Sequence, residues 1–111
     1  EGIQNLVLSL KLKGWEMEKQ PCVYIMSSAN KKAIYIGVTS RLKQRVWQHK
    51  NDLVEGFTQR YQIHHLVYYE LSSTLTQAIS REKQLKGWRR EWKNALILKS
   101  NPDWLDLHND L

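Results

Sequence analysis

Hydrophobic and polar positions change period along this chain. Leu6, Leu8, Leu10 and Leu12 alternate with Val7, Ser9, Lys11 and Lys13, and a period of two suits an extended segment at a sheet edge. Cys22–Met26 and Ala33–Val38 are β-rich runs separated by Ser27-Ser28-Ala29-Asn30-Lys31-Lys32, which predicts an antiparallel hairpin. Thr39-Ser40 offers an N-cap, and a helix over Arg41–Leu53 follows until Glu55-Gly56 breaks it. A third strand is expected over His65–Leu71. Ser72-Ser73-Thr74 then caps a long helical stretch from about Leu75 to Lys99, bent at Gly87 and stopped by Asn101-Pro102. Trp104, Leu105 and Leu107 are expected to fold back onto the core. The order β-β-α-β-α-α gives an α+β fold, a small three-stranded antiparallel sheet flanked by helices.

Some side chains fall where packing alone would not put them. At 100° per residue, Leu42, Val46 and Leu53 define the buried stripe of the first helix, with His49 on that stripe and Arg45 at its edge. Leu75, Ala78, Ile79 and Leu85 define the apolar face of the second, and Glu82 lands in their midst. An unpaired buried carboxylate costs several kcal/mol, so Glu82 must be paired, protonated, metal-bound or facing a cleft. In the hairpin, Tyr24 and Met26 share one face of the first strand, and Ala33, Tyr35 and Gly37 share one face of the second. The two tyrosines are neighbours if the register allows it. Gly37 leaves room for close approach by a ligand or by another chain segment.

Composition narrows the function classes. The 111 residues, 41% hydrophobic and 25% charged, suit a single globular core. No apolar run approaches the roughly 18 residues of a membrane helix. No signal-peptide pattern opens the chain, and the lone Cys22 excludes an intrachain disulfide, so a reducing cytoplasm is expected. Met17 is a candidate native initiator, which would make residues 1–16 vector-derived or an alternative upstream start. The domain division is residues 1–19 as an N-terminal extension or edge strand and residues 20–111 as the folded domain. The formal net charge is +6, and its distribution is uneven. Residues 31–50 hold six cations and no carboxylate, and residues 81–99 hold seven against Glu82 and Glu91. Two such segments form either the walls of a phosphate-binding groove or two solvated helix faces.

Taken together, these residues resemble the GIY-YIG nuclease family, and most closely its small stand-alone bacterial members. The first motif reads Cys22-Val23-Tyr24 and the second Tyr35-Ile36-Gly37. Arg45 follows Tyr35 by ten residues and His49 follows Arg45 by four, with Glu82 on a later helix. The resemblance runs from about Gln20 to Leu107. It departs from the family pattern at Cys22 and Val23, where Gly and Ile are usual, and at Val38, where many members carry a lysine. The family's late asparagine corresponds to Asn94 or Asn101, and Asn101 is preferred because it follows the helices.

The resemblance implies metal-dependent hydrolysis of a nucleic-acid phosphodiester by an in-line water. Glu82 would hold a single Mg²⁺ or Mn²⁺ ion, since Mg²⁺ keeps several waters and rarely uses an all-protein cage. Arg45 would stabilise charge on the phosphate oxygens. Tyr24 would act as general base with Tyr35 orienting the water or the phosphate, or Tyr24 would only position the water. A tyrosine with a pKa near 10 is only about 0.1% phenolate at neutral pH, so Tyr24 needs a nearby cation or must pass its proton on, with His49 the acceptor at hand. Asn101 completes the expected catalytic set. Nucleic-acid contacts are expected from Gly37, Arg41, Lys43, Trp47, Lys86 and Arg89. Trp47 projects about 100° from its helix's buried stripe, which makes it the best base-stacking candidate, ahead of Trp88 and Trp92.

With no helix-turn-helix or zinc-finger spacing to read the major groove, the expected partner is DNA selected by shape, whether branched, single-stranded or damaged, in repair or processing. RNA remains open as a substrate. The protein is expected to be a monomer or weak homodimer with no membrane partner. The competing readings are a nucleic-acid-binding protein of the same fold that has lost turnover, motivated by Val38, and an interaction module that pairs through its leucine-rich start.

Overall fold

The structure is a computed structural model that describes residues 19–111. The alternating leucines of the start and Met17 lie outside the described residues. Strands β1 (Cys22–Ser28) and β2 (Ile34–Thr39) lead to helix α1 (Leu42–Lys50) and a single-turn helix α2 (Phe57–Arg60). Strand β3 (Ile63–Leu71), helices α3 (Leu75–Lys86) and α4 (Arg90–Ser100) and a 3-10 turn over Leu107–Asp110 complete the order. The sheet is antiparallel in the order β2-β1-β3, so the α+β fold is the one the polarity pattern predicts.

Central β1 is buried along its whole length and splits the interior in two. Val23 and Ile25 point to one face, where they meet Ile36, Val67, Ala78, Leu85, Ile97 and Trp104 under α3 and α4. Tyr24 and Met26 point to the other, where they meet Val46, Ile63 and Leu66 beneath α1. This is the period of two expressed as two cores. Each fully buried Leu or Ile removes apolar surface worth roughly 1.5–3 kcal/mol from water.

Several local details differ from the expectations. Helix α1 begins after Arg41, with Thr39 Oγ1 accepting from the Arg41 N–H at 3.0 Å instead of capping as the N-cap residue. It stops at Lys50 because Asp52 takes a left-handed φ of 55°, which leaves Leu53 exposed rather than on the buried stripe. The long helix is two helices, since the chain leaves the helical path between Gly87 and Arg89, whose ψ is 155°. There Trp88 turns to pack against the first core. On α3, Ala78 and Leu85 are buried while Leu75 and Ile79 are largely exposed. Thr74 caps α3 as expected, its hydroxyl accepting from the Gln77 N–H. The tail folds back through Trp104 and Leu107, whereas Leu105 faces water.

Asn101 is a clasp for that tail. Its amide N–H groups donate to the carbonyls of Val67 (3.0 Å) and Leu105 (2.9 Å), and its Oδ1 accepts from the Leu105 N–H (3.0 Å). A side chain 4% exposed and committed to main chain in this way is spent on joining the end of α4, β3 and the tail. Asn101, expected in the catalytic set, is engaged here with main chain.

Candidate active site

The hairpin register pairs Tyr24 with Gly37 and Met26 with Tyr35. Tyr24 and Tyr35 are therefore diagonal neighbours on one sheet face, with ring centroids 6.2 Å apart. The Tyr24 ring lies across Gly37. A Cβ at position 37 would come within 2.5 Å of the Tyr24 hydroxyl oxygen and 2.6 Å of Cζ. Glycine is needed for this close approach, and it is the chain's own tyrosine that makes it. Gly37, an expected nucleic-acid contact, is buried under that ring.

Helix α1 presents Arg45 and His49 one turn apart, on the side that packs against the second core. His49 is 2% exposed, and its ring completes a triangle with the tyrosines, 5.8 Å from Tyr24 and 5.4 Å from Tyr35. Its Nε2 lies 3.0 Å from the Tyr24 hydroxyl, and its Nδ1 lies 3.2 Å from Thr58 Oγ1. Thr58, buried on α2, is a site residue that sequence reasoning missed. A helix of four residues is too short to show a period, and this one follows a glycine that reads simply as a break.

Electrostatics fix the protons on this pair. Burial pushes the Tyr24 phenol up, Tyr35 adds to the rise, Arg45 opposes it, and Cys22 and Glu82 add smaller increases. Burial lowers His49 to about 4, helped by the charges of Arg45 and His64. At neutral pH the phenol is therefore protonated and the imidazole neutral. The Thr58 hydroxyl donates to the Val54 carbonyl, which leaves its oxygen to accept from Nδ1–H, and in that tautomer the Tyr24 O–H donates to Nε2.

The His49 shift predicts a stability profile. The folded chain holds this imidazole neutral down to about pH 4, while the unfolded chain protonates near 6.5. Its contribution is complete above pH 6.5 and is lost as pH falls from 6.5 towards 4, by roughly 2–3 kcal/mol. Urea midpoints at pH 7 and pH 4.5 should fall further apart for the wild type than for His49→Gln. Equal drops would show that His49 does not titrate in this window.

Arg45 belongs to a second feature beside the triangle, a cleft of about 350 Å³ between the end of β2 and α1. Lys19, Arg41 and Arg45 line it with the hydroxyl residues Thr39 and Ser40 and the amides of Gln44 and Gln48, and among the described residues no carboxylate does. The Gln20 N–H donates to the Ser40 carbonyl at 2.8 Å, which tethers Lys19 to the cleft. Lys19 is the second residue that sequence reasoning missed. Its cation stands near the end of β2, whereas the side chain of Val38, at the position where many family members carry lysine, packs against the first core.

Glu82 comes from α3, which packs across β1 and β2, and it is close enough for its charge to raise the Tyr24 phenol. Of the alternatives open for it, the structure shows a partly buried ion pair. Its Oε2 lies 3.2 Å from Lys86 Nζ, with the Glu82 side chain 20% exposed and that of Lys86 52%. A pair of this kind contributes only about 0.3–0.5 kcal/mol, so an incoming cation can displace Lys86. Among the described residues no three His, Cys, Asp or Glu side chains cluster as a cage. A lone carboxylate fits a Mg²⁺ ion that keeps most of its water.

The remaining predicted contacts are not gathered at one place. Arg41 is in the cleft. Lys43 lies towards the Leu107–Asp110 turn, where its charge lowers His108. Trp47 is partly exposed on α1. Lys86 is the ion partner of Glu82, and Arg89 sits over the Trp92 ring at the start of α4.

The family model of the GIY-YIG catalytic domain matches residues 20–95, which takes in β1 through the first half of α4 and every one of these features except Lys19. The chain belongs to the GIY-YIG catalytic-domain family. No curated protein and no solved structure matches the chain. The GIY-YIG fold is a nuclease fold, which makes nucleic acid the substrate class, and the Tyr24–Tyr35–His49 triangle occupies the hairpin and helix that carry the family motifs. No helix among the described residues is long and apolar enough to cross a membrane.

Proposed function

We propose that this GIY-YIG protein is a metal-dependent endonuclease that hydrolyses DNA phosphodiesters and selects its substrate by structure, in DNA repair or processing within the cytoplasm. The observation that carries the reading is the 3.0 Å contact between the Tyr24 hydroxyl and His49 Nε2, beside a cleft lined by three cations.

In this reading the scissile phosphate lies in the cleft, where Arg45, Arg41 and Lys19 neutralise its charge and Arg45 can give two parallel donors. Tyr24 takes a proton from the attacking water as its own phenolic proton passes to His49 Nε2. Burial keeps both partners neutral at rest. An anionic phosphate beside Arg45 offsets the charge that lowers His49, so the imidazole becomes a stronger proton acceptor once substrate is bound. Nδ1–H, held by Thr58, keeps Nε2 aimed at the phenol throughout. Tyr35 packs against both rings and orients the water or the phosphate. Glu82 would hold the single Mg²⁺ or Mn²⁺ ion, which supplies Lewis-acid charge to the phosphate and the departing oxygen.

The test is digestion of flap, junction, single-stranded and blunt duplex DNA, with RNA counterparts, across a Mg²⁺ and Mn²⁺ titration and in EDTA. Metal-dependent product is expected, concentrated on the branched and single-stranded DNA and absent in EDTA. Binding should weaken steeply with salt. Tight binding with no product at any metal concentration would overturn the enzyme reading in favour of a nucleic-acid-binding protein.

A further inference from the structure

The face covered by α3 and α4 carries a groove that the Tyr24 site does not use. Trp88 and Trp92 meet edge to face, with ring centroids 6.3 Å apart. Trp92, Ala95, Leu96 and Lys99 recur at spacings of three and four and so share one stripe of α4. With Trp88 they line an open groove of about 420 Å³. Its walls are indole, methyl and leucine carbons, with one ammonium at the end. A single exposed tryptophan needs no explanation, but here each indole carries a guanidinium. Arg81 lies 5.2 Å from the Trp88 centroid and Arg89 lies 5.5 Å from that of Trp92. Neither guanidinium lines the groove itself: Arg81 pairs with Glu70 and Arg89 with the exposed Glu91, and Arg89 borders the groove from over the Trp92 ring.

The geometry points to a base-stacking exosite for single-stranded nucleic acid, with one base laid against Trp92 and the flanking phosphates met by Arg89 and Lys99. An exposed indole face bordered by cations suits a ligand that joins a π face to a negative charge in every unit, and a nucleotide has both. Arg89 over Trp92 extends the stack by one more planar group. The groove also adjoins the element that supplies Glu82. Trp88 stands two residues past the end of α3, the helix that carries Glu82, so the indoles lie where that helix hands over to α4. The ligand class rests on the nuclease reading. The exosite adds to it a preference for substrates with an unpaired strand on the α4 side of the cut.

The experiment measures fluorescence anisotropy of labelled oligothymidylate and of a blunt duplex of equal length, in EDTA, for wild type, Trp92→Ala and Trp92→Phe. Trp92→Ala should weaken oligothymidylate binding on the order of 10-fold, Trp92→Phe should restore most of the loss, and duplex affinity should hold. Circular dichroism on the same samples reads folding. Unchanged oligothymidylate affinity in Trp92→Ala, an equal loss for the duplex, or displacement of oligothymidylate by polyglutamate as readily as by unlabelled strand would each overturn the proposal. A wild-type protein that binds oligothymidylate through Trp92 but cuts no DNA keeps the exosite and ends the nuclease reading. One that cuts DNA while Trp92→Ala binds normally ends the exosite alone.

Discussion

Tyr24→Phe is expected to slow DNA cleavage by about 10²–10⁴-fold, the usual loss on removing a general base. The benzene ring still covers Gly37, so the hairpin keeps its shape. The one atom removed is the hydroxyl oxygen 3.0 Å from His49 Nε2. That nitrogen is then left buried without its donor, which costs about 1–3 kcal/mol of stability. Loss of rate should therefore far exceed any loss of folded protein at assay temperature. Single-turnover cleavage, read beside DNA affinity and a thermal melt, separates these effects. A variant that binds DNA normally and cleaves within a few-fold of wild type would remove the phenol from the proton path and leave His49 as a core histidine.

Glu82→Ala should lower cleavage by roughly 10²-fold or more, since the charge a bound ion brings to the phosphate is worth several kcal/mol. The stability cost should be small, because the carboxylate's partner is half-exposed Lys86 on the same helix, a pairing worth a few tenths of a kcal/mol. Rates measured across a Mg²⁺ titration should show no plateau near wild type. Wild-type turnover at ordinary Mg²⁺ would end the assignment of Glu82 as the metal ligand.

Sequence reading reached the site unevenly, and the reasons are physical. Strand alternation placed Tyr35 and Gly37 on one face of their strand and Tyr24 on one face of its own, because a period of two fixes side within a strand, but only the register brings those faces together. A four-residue step on a helix placed Arg45 with His49, and the resemblance pointed to both. Glu82 stood out because a carboxylate interrupts an apolar stripe. Thr58 gave no such signal, since its contact with His49 depends on where a one-turn helix settles after two backbone irregularities, Asp52 and Gly56. The main-chain clasp made by Asn101 was not legible, because an asparagine after a helix gives no sign of which carbonyls it will meet, and Val67 and Leu105 come to it only in the fold. The break at Gly87 looked like a bend because glycine tolerates either, and the preference of Trp88 for the core settled it.

Positions 24 and 37 are bound to each other sterically. The phenol reaches its imidazole by crossing ground that a side chain at 37 would occupy, so even one methyl group there would displace the Tyr24 hydroxyl without altering Tyr24 or His49 themselves. Transplanting this chemistry onto another hairpin would mean carrying over the notch together with the aromatic ring that fills it.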